Sequence, residues 1–172
     1  MVKGVATYAH ELLTMIPDLA VVYVTIGMGS GICGLITVRD LVGLDTEIVG
    51  VVAANTPAFA LSFEAGHPVR TRTARTFADG MACRDPQPGP LAIICAGAAR
   101  IVQLTDNEIA DAMRTYFTNT HNVAEGAGAA PLAGLIRERE RYTGKRAATI
   151  FCGASIDATM FADVLAGRTP QA

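Results

Sequence analysis

The run Val21-Val22-Tyr23-Val24-Thr25-Ile26-Gly27-Met28-Gly29-Ser30-Gly31-Ile32-Cys33-Gly34 decides the fold of this chain. Val21 to Ile26 is an almost continuous apolar stretch, the pattern of a strand buried on both faces of a parallel sheet. The glycines that follow permit a tight turn and close backbone approach, and residues from Gly31 to about Val42 have helical period. Strand, glycine loop and helix in this order let several N–H groups converge on an oxyanion at the positive end of the helix, which suits a phosphate. The same residues also suit a purely structural strand-to-helix turn, because glycine punctuates chains generally.

Three further apolar runs, Ile48 to Ala53, Ile101 to Leu104 and Ala147 to Cys152, have the same unalternating character. Helical segments separate them. Thr105-Asp106-Asn107-Glu108 places a hydroxyl three residues before a carboxylate, a capping box, and Ile109, Ala112, Met113, Tyr116 and Phe117 then mark one face. Ser155 and Asp157 open a segment whose Ile156, Met160, Phe161, Val164 and Leu165 share a stripe. Gly4 to Met15, with Val5, Tyr8, Ala9, Leu12 and Leu13 inward, Ala127 to about Arg141, and a shorter stretch from Pro57 to Glu64 complete the helices. Leu91 to Ala96 fits helix or strand equally. The Pro-rich stretch Asp85 to Pro90 is a loop, too short to mark a domain boundary. The expectation is a single α/β domain over residues 1–172, a mostly parallel sheet flanked by helices.

With 172 residues, 51% of them hydrophobic and 17% charged, intrinsic disorder is excluded. A formal net charge of −2 without any basic run argues against nucleic acid as a partner. The uncharged stretch from Leu19 to Val38 is long enough to raise a membrane span, but the glycines at its centre would weaken one. No membrane association is expected. Cys33, Cys83, Cys95 and Cys152 form no C-x-x-C pair, which fits a reduced, cytoplasmic setting. His10, His67 and His121 share no motif, so no metal site is expected. Of fourteen basic residues only Lys3 and Lys145 are lysines, and the plain reading of both is a solvated surface residue.

Two phosphate chemistries compete for the loop. Gly29-Ser30-Gly31-Ile32-Cys33-Gly34 matches G-x-G-x-x-G, which would suit NAD in a Rossmann-type oxidoreductase. That reading wants an acid after the second strand, where this chain has Val51-Val52-Ala53-Ala54-Asn55, and Asn55 is a weak substitute. The Gly-Lys-Ser/Thr ending of a P-loop is absent.

Read together with Val123-Ala124-Glu125-Gly126-Ala127-Gly128-Ala129-Ala130 and Phe151-Cys152-Gly153-Ala154-Ser155-Ile156-Asp157, the loop resembles the pyridoxal-phosphate enzymes of fold type II, the tryptophan synthase β superfamily. Within it the chain is similar to threonine/serine dehydratases and their serine racemase relatives, near the hydroxyectoine-utilisation dehydratases. Gly4-Val5-Ala6-Thr7, Ala78-Asp79-Gly80-Met81-Ala82 and Ile101 to Ile109 add to the likeness, which extends over nearly the whole chain. The resemblance implies the large cofactor-binding domain of that fold. It implies a phosphate held by the backbone of Gly27, Met28, Gly29, Ser30 and Gly31, Cys152 opposite the pyridine nitrogen, and Glu125 near the ring. Its substrate would be a small hydroxy amino acid, converted by β-elimination to a 2-oxo acid and ammonia. Each placement has a plainer rival: a small buried thiol for Cys152, a helix N-terminal carboxylate for Glu125, and a residue bonding its own loop for Asp79.

The resemblance also marks departures. The family's Schiff-base lysine and the loop that grips the substrate carboxylate lie upstream of the matched region, so no catalytic residue is assigned here and the chain alone is expected to be inactive. The acids with which some members bind a cation are replaced by Val52 to Ala58. A chain opening inside a helix hints at a missing N-terminal half, and the family implies a homo-oligomer. A non-catalytic phosphate-binding or interaction domain is the alternative from another functional class.

Overall fold

The computed structural model describes residues 2–171. Four strands, β1 (Val21–Thr25), β2 (Glu47–Ala53), β3 (Arg100–Leu104) and β4 (Ala147–Thr149), form one sheet in the order β3-β2-β1-β4, and every pairing is parallel. Parallel neighbours require long crossovers. Helix α1 (Val2–Met15) precedes β1, the crossovers are supplied by α2 (Ser30–Val42), α3 (Ala58–Ala65), α4 (Pro88–Gly97), α5 (Asp106–Thr120) and α6 (Gly126–Arg137), and α7 (Ala158–Leu165) follows β4, with 3₁₀ turns at Asp79–Met81 and Arg139–Tyr142.

The period of two along β1 divides the core between two layers. Val21 and Tyr23 join Val49, Val51, Ile109, Met113, Ala127 and Ala130 on the side of α5, α6 and α7. Val22 and Val24 join Ile48, Val52, Leu13, Ile32, Leu35 and Ile94 on the side of α1, α2 and α4. Thr105 caps α5 with the expected reciprocal bonds to Glu108.

One open reading is decided, and several expectations are corrected. Leu91 to Ala96 lies in a helix that begins on Pro88, a residue whose fixed φ and missing N–H suit a first turn. The central strands β1 and β2 are buried on both faces, but β3 and β4 are edge strands and only partly covered. The last strand ends at Thr149, so Cys152 lies three residues beyond it. After Ile150 donates to the Tyr23 carbonyl, the chain leaves the sheet and docks on the start of α6. The helix expected to reach Arg141 stops at Arg137 and tightens into a 3₁₀ turn, and Leu165 falls off the inward stripe of α7 and is exposed. Leu19 to Val38 is divided between β1, the loop and α2, and no helix among the described residues is long and apolar enough to cross a membrane.

At the amino ends of the strands, Arg100 binds Glu138 at 2.6 Å and Glu47 at 2.7 Å, and its guanidinium also donates to Tyr142 Oη at 2.7 Å. Tyr23 Oη donates to Glu138, and Tyr142 Oη to Glu47. Burial opposes ionisation of Glu138, yet bonds from Arg100 and Tyr23 outweigh it and hold the carboxyl below its usual range. The Tyr142 hydroxyl, and then Arg100, lower Glu47 in the same direction.

Candidate functional site

A cavity of about 370 Å³ opens at the carboxyl ends of the central strands, where ligands of open α/β sheets are found. Gly27, Met28, Gly29, Ser30, Gly31, Glu125 and Cys152, all singled out from the sequence, line it together. Met28, 56% exposed, is the most open of the loop's apolar side chains.

The glycine loop is fixed by close approach. A Cβ on Gly27 would stand 2.3 Å from the Gly80 carbonyl oxygen, so this turn can rest on the 3₁₀ segment only as glycine. Gly29 precedes α2 with φ +91°, in the left-handed region that glycine alone enters freely. Cys33 gives its N–H to the Gly29 carbonyl, which leaves the amides of Ser30, Gly31 and Ile32, one turn earlier, without an intrahelical acceptor. These amides and the helix dipole favour an anion in the cavity.

Glu125 stands at the N-cap position of α6 but does not cap it. Its carboxylate accepts the Ser155 N–H at 3.0 Å, and its own N–H donates to the Gly153 carbonyl at 3.1 Å. A Cβ on Gly153 would fall 2.2 Å from Glu125 Oε1, so glycine is needed where this loop meets the carboxylate. Ser155, expected to open the last helix, is thereby drawn to Glu125 instead, and Asp157 takes the N-cap position. Cys152, just before Gly153, is exposed toward a groove along α1 while its sulphur lies 3.7 Å from the Ala127 carbonyl. Burial of the sulphur, and next the charge of Glu125, push its thiol up, so Cys152 stays neutral at physiological pH.

The cavity has further lining residues that the sequence reading did not assign to the site, Tyr8, Thr25 and Gly80 among them. Tyr8 of α1 donates to the Gly31 carbonyl at 3.4 Å, and burial, with a smaller contribution from Cys152, raises its hydroxyl to about 12. In the sequence it is one member of the inward stripe of α1, with nothing to set it apart. Thr25 donates to the Ala127 carbonyl, and a short hydroxyl side chain at the end of an apolar strand just before the loop was a usable signal. Gly80 closes the far wall. Asp79 bonds its own loop through its carbonyl, which accepts the Ala82 N–H. It lines a neighbouring cavity of about 420 Å³ with Glu125 and Ser155. Lys3, Lys145, Asn55 and the three histidines are exposed, and none of them lines the glycine-loop cavity. All four cysteines are free thiols.

On the α1 side lies a second hollow of about 640 Å³, largely apolar, walled by Val5, Tyr8, Leu12, Met15, Ile150 and Phe151. Tyr8 and Cys152 face both spaces.

Comparison with known proteins gives the following. The family described as pyridoxal-phosphate dependent enzyme matches residues 1–153. The L-threonine ammonia-lyase of Thermotoga maritima is 29% identical over 160 residues, which make up 93% of this chain and 40% of that protein. The phenylserine dehydratase of Ralstonia pickettii is 30% identical over 162 residues, 94% of this chain and 50% of the relative. Among solved structures, the processed form of threonine deaminase isoform 2 from Solanum lycopersicum superposes with a TM-score of 0.91 at 25% identity, covering 96% of this chain and 46% of that one. The chain therefore spans half the length of these relatives or less.

Proposed function

Because this chain belongs to the pyridoxal-phosphate dependent enzymes, we propose that it forms the cofactor-holding part of a threonine/serine dehydratase-like lyase acting on a small hydroxy amino acid. The observation that carries this reading is the convergence of the glycine loop, Glu125 and Cys152 on one cavity. The residues fit the cofactor. The unengaged amides at the start of α2 would hold its phosphate, and the apolar walls Val24 and Ile150 with the neutral Cys152 thiol suit the edge of an aromatic ring. Pyridoxal phosphate, when bound, supplies an electron sink for the carbon that carries the amino group.

The protein groups act around it. The loop amides orient the phosphate without a charged side chain, since neither lysine lies there. The Cys152 thiol, kept protonated, would add no charge beside a bound ring, a setting that would favour elimination of a β-hydroxyl. Glu125 fixes the loop that carries Cys152.

The reactive lysine and the grip on the substrate carboxylate are, in this reading, supplied by polypeptide outside these 172 residues. The apolar hollow between α1 and the segment following β4 is where that polypeptide would complete the cavity wall. A cytoplasmic setting and a homo-oligomer belong to the same reading.

Incubating the chain with pyridoxal phosphate, reducing with borohydride and mapping lysine adducts by mass spectrometry tests this division of labour. The expected result is bound cofactor without a stoichiometric adduct on Lys3 or Lys145, and no 2-oxo acid from serine or threonine. A stoichiometric adduct accompanied by turnover would place the whole reaction in this chain.

A further inference from the structure

Pro131 lies buried inside α6 and has no N–H to give, so the Ala127 carbonyl four residues earlier is left without its helical hydrogen bond. That residue lines the cavity, and two side chains from other regions of the chain donate to its oxygen. One is Thr25 Oγ1 at the end of β1, and the other is Cys152 Sγ, 3.7 Å away in the loop after β4. A carbonyl oxygen has two lone pairs and accepts both. In an uninterrupted helix the N–H of residue 131 would compete for this oxygen and draw it back toward the helix axis. Proline is the least favourable residue in a helix interior, and here the donor it lacks is the one whose acceptor is used by the site.

We propose that Pro131 is a positioning residue for Cys152: by withholding an N–H it releases the Ala127 carbonyl to fix the Thr25 hydroxyl and the Cys152 thiol at the cavity wall. The thiol proton is then directed at the Ala127 oxygen, and the sulphur presents its lone pairs to the cavity. The benefit of this arrangement to a bound cofactor ring rests on the function proposed above. The arrangement itself does not.

The test therefore omits the cofactor. In Pro131→Ala and Pro131→Gly the N–H returns and competes for the Ala127 carbonyl, so the thiol loses an acceptor that favours its protonated form. Alkylation of Cys152 by iodoacetamide, read peptide by peptide by mass spectrometry, should then quicken by about threefold to fivefold, the size of one weak hydrogen bond. Cys95, exposed on α4, should react at an unchanged rate, and Pro131→Ala should melt no lower than the parent. The rise in either folded variant supports the proposal. An unchanged Cys152 rate in the folded variants overturns it, as does a joint rise at Cys95 with a lowered melting temperature, which would make Pro131 a packing residue only.

Discussion

The two ends of the sheet are built on opposite plans. At the amino ends of the strands, Arg100, Glu47, Glu138, Tyr23 and Tyr142 satisfy one another in a partly buried cluster that leaves little room between them. At the carboxyl ends, glycines and short side chains hold the backbone open around a cavity, and the first amides of α2 have no helical acceptor. The first end gains stability from matched charges. The second leaves hydrogen-bonding capacity unused, which is how a fold reserves a place for an anionic ligand. Stability and binding should accordingly respond to different substitutions.

The largest effect expected is on stability. Arg100→Ala strands the partly buried Glu138 carboxylate and removes the partner of the exposed Glu47, and should lower the unfolding free energy by about 2–3 kcal/mol in a urea titration, while pyridoxal phosphate affinity stays within about twofold. Loss of binding in proportion to stability would show that the two ends are not separable. The same comparison has a pH signature. Glu47 and Glu138 titrate below their usual range in the folded chain, so their contribution is present at neutral pH and is lost as the pH falls below the ordinary carboxylate range. The stability gap between the parent and Arg100→Ala should shrink on going from pH 7 toward pH 3, and a constant gap would mean that the carboxylates are not its source.

Gly27→Ala should show the reverse bias. Its Cβ would meet the Gly80 carbonyl at 2.3 Å, and the loop must shift, weakening pyridoxal phosphate binding by about tenfold or more with a stability loss of about 1–2 kcal/mol. Unaltered affinity in a fluorescence titration would remove this loop from the phosphate site. The smallest effect concerns Glu125. Glu125→Ala leaves the Ser155 N–H without its acceptor and should speed its hydrogen exchange by several fold, about 1 kcal/mol of local opening. Glu125→Gln, which keeps an acceptor oxygen, should restore most of the protection. Equal protection in all three proteins would mean that the carboxylate does not hold the loop.

What the sequence made legible was local. Strand β1, the glycine loop and α2 follow one another, so their period and punctuation suffice, and the Thr105 capping box lies within four residues. The edges of the site were harder because they depend on contacts remote in the chain. The apolar run after Lys145 continues to Cys152, but its pairing ends when Gly153 and Ser155 find Glu125, about 30 residues back. Tyr8 shares the spacing of core residues, and its hydroxyl acquires meaning only when α1 packs against the first turn of α2. Pro131 showed no break in the apolar pattern of α6, since its effect falls on a carbonyl that only Thr25 and Cys152 reveal.

The most direct measurement is a calorimetric titration of the chain with pyridoxal phosphate, set beside unphosphorylated pyridoxal and NAD. A glycine-loop phosphate site predicts saturable one-to-one binding of pyridoxal phosphate, with pyridoxal weaker by at least about tenfold, equivalent to 1.4 kcal/mol, and no heat from NAD. Equal affinity for pyridoxal and its phosphate, or tighter binding of NAD, would contradict the account.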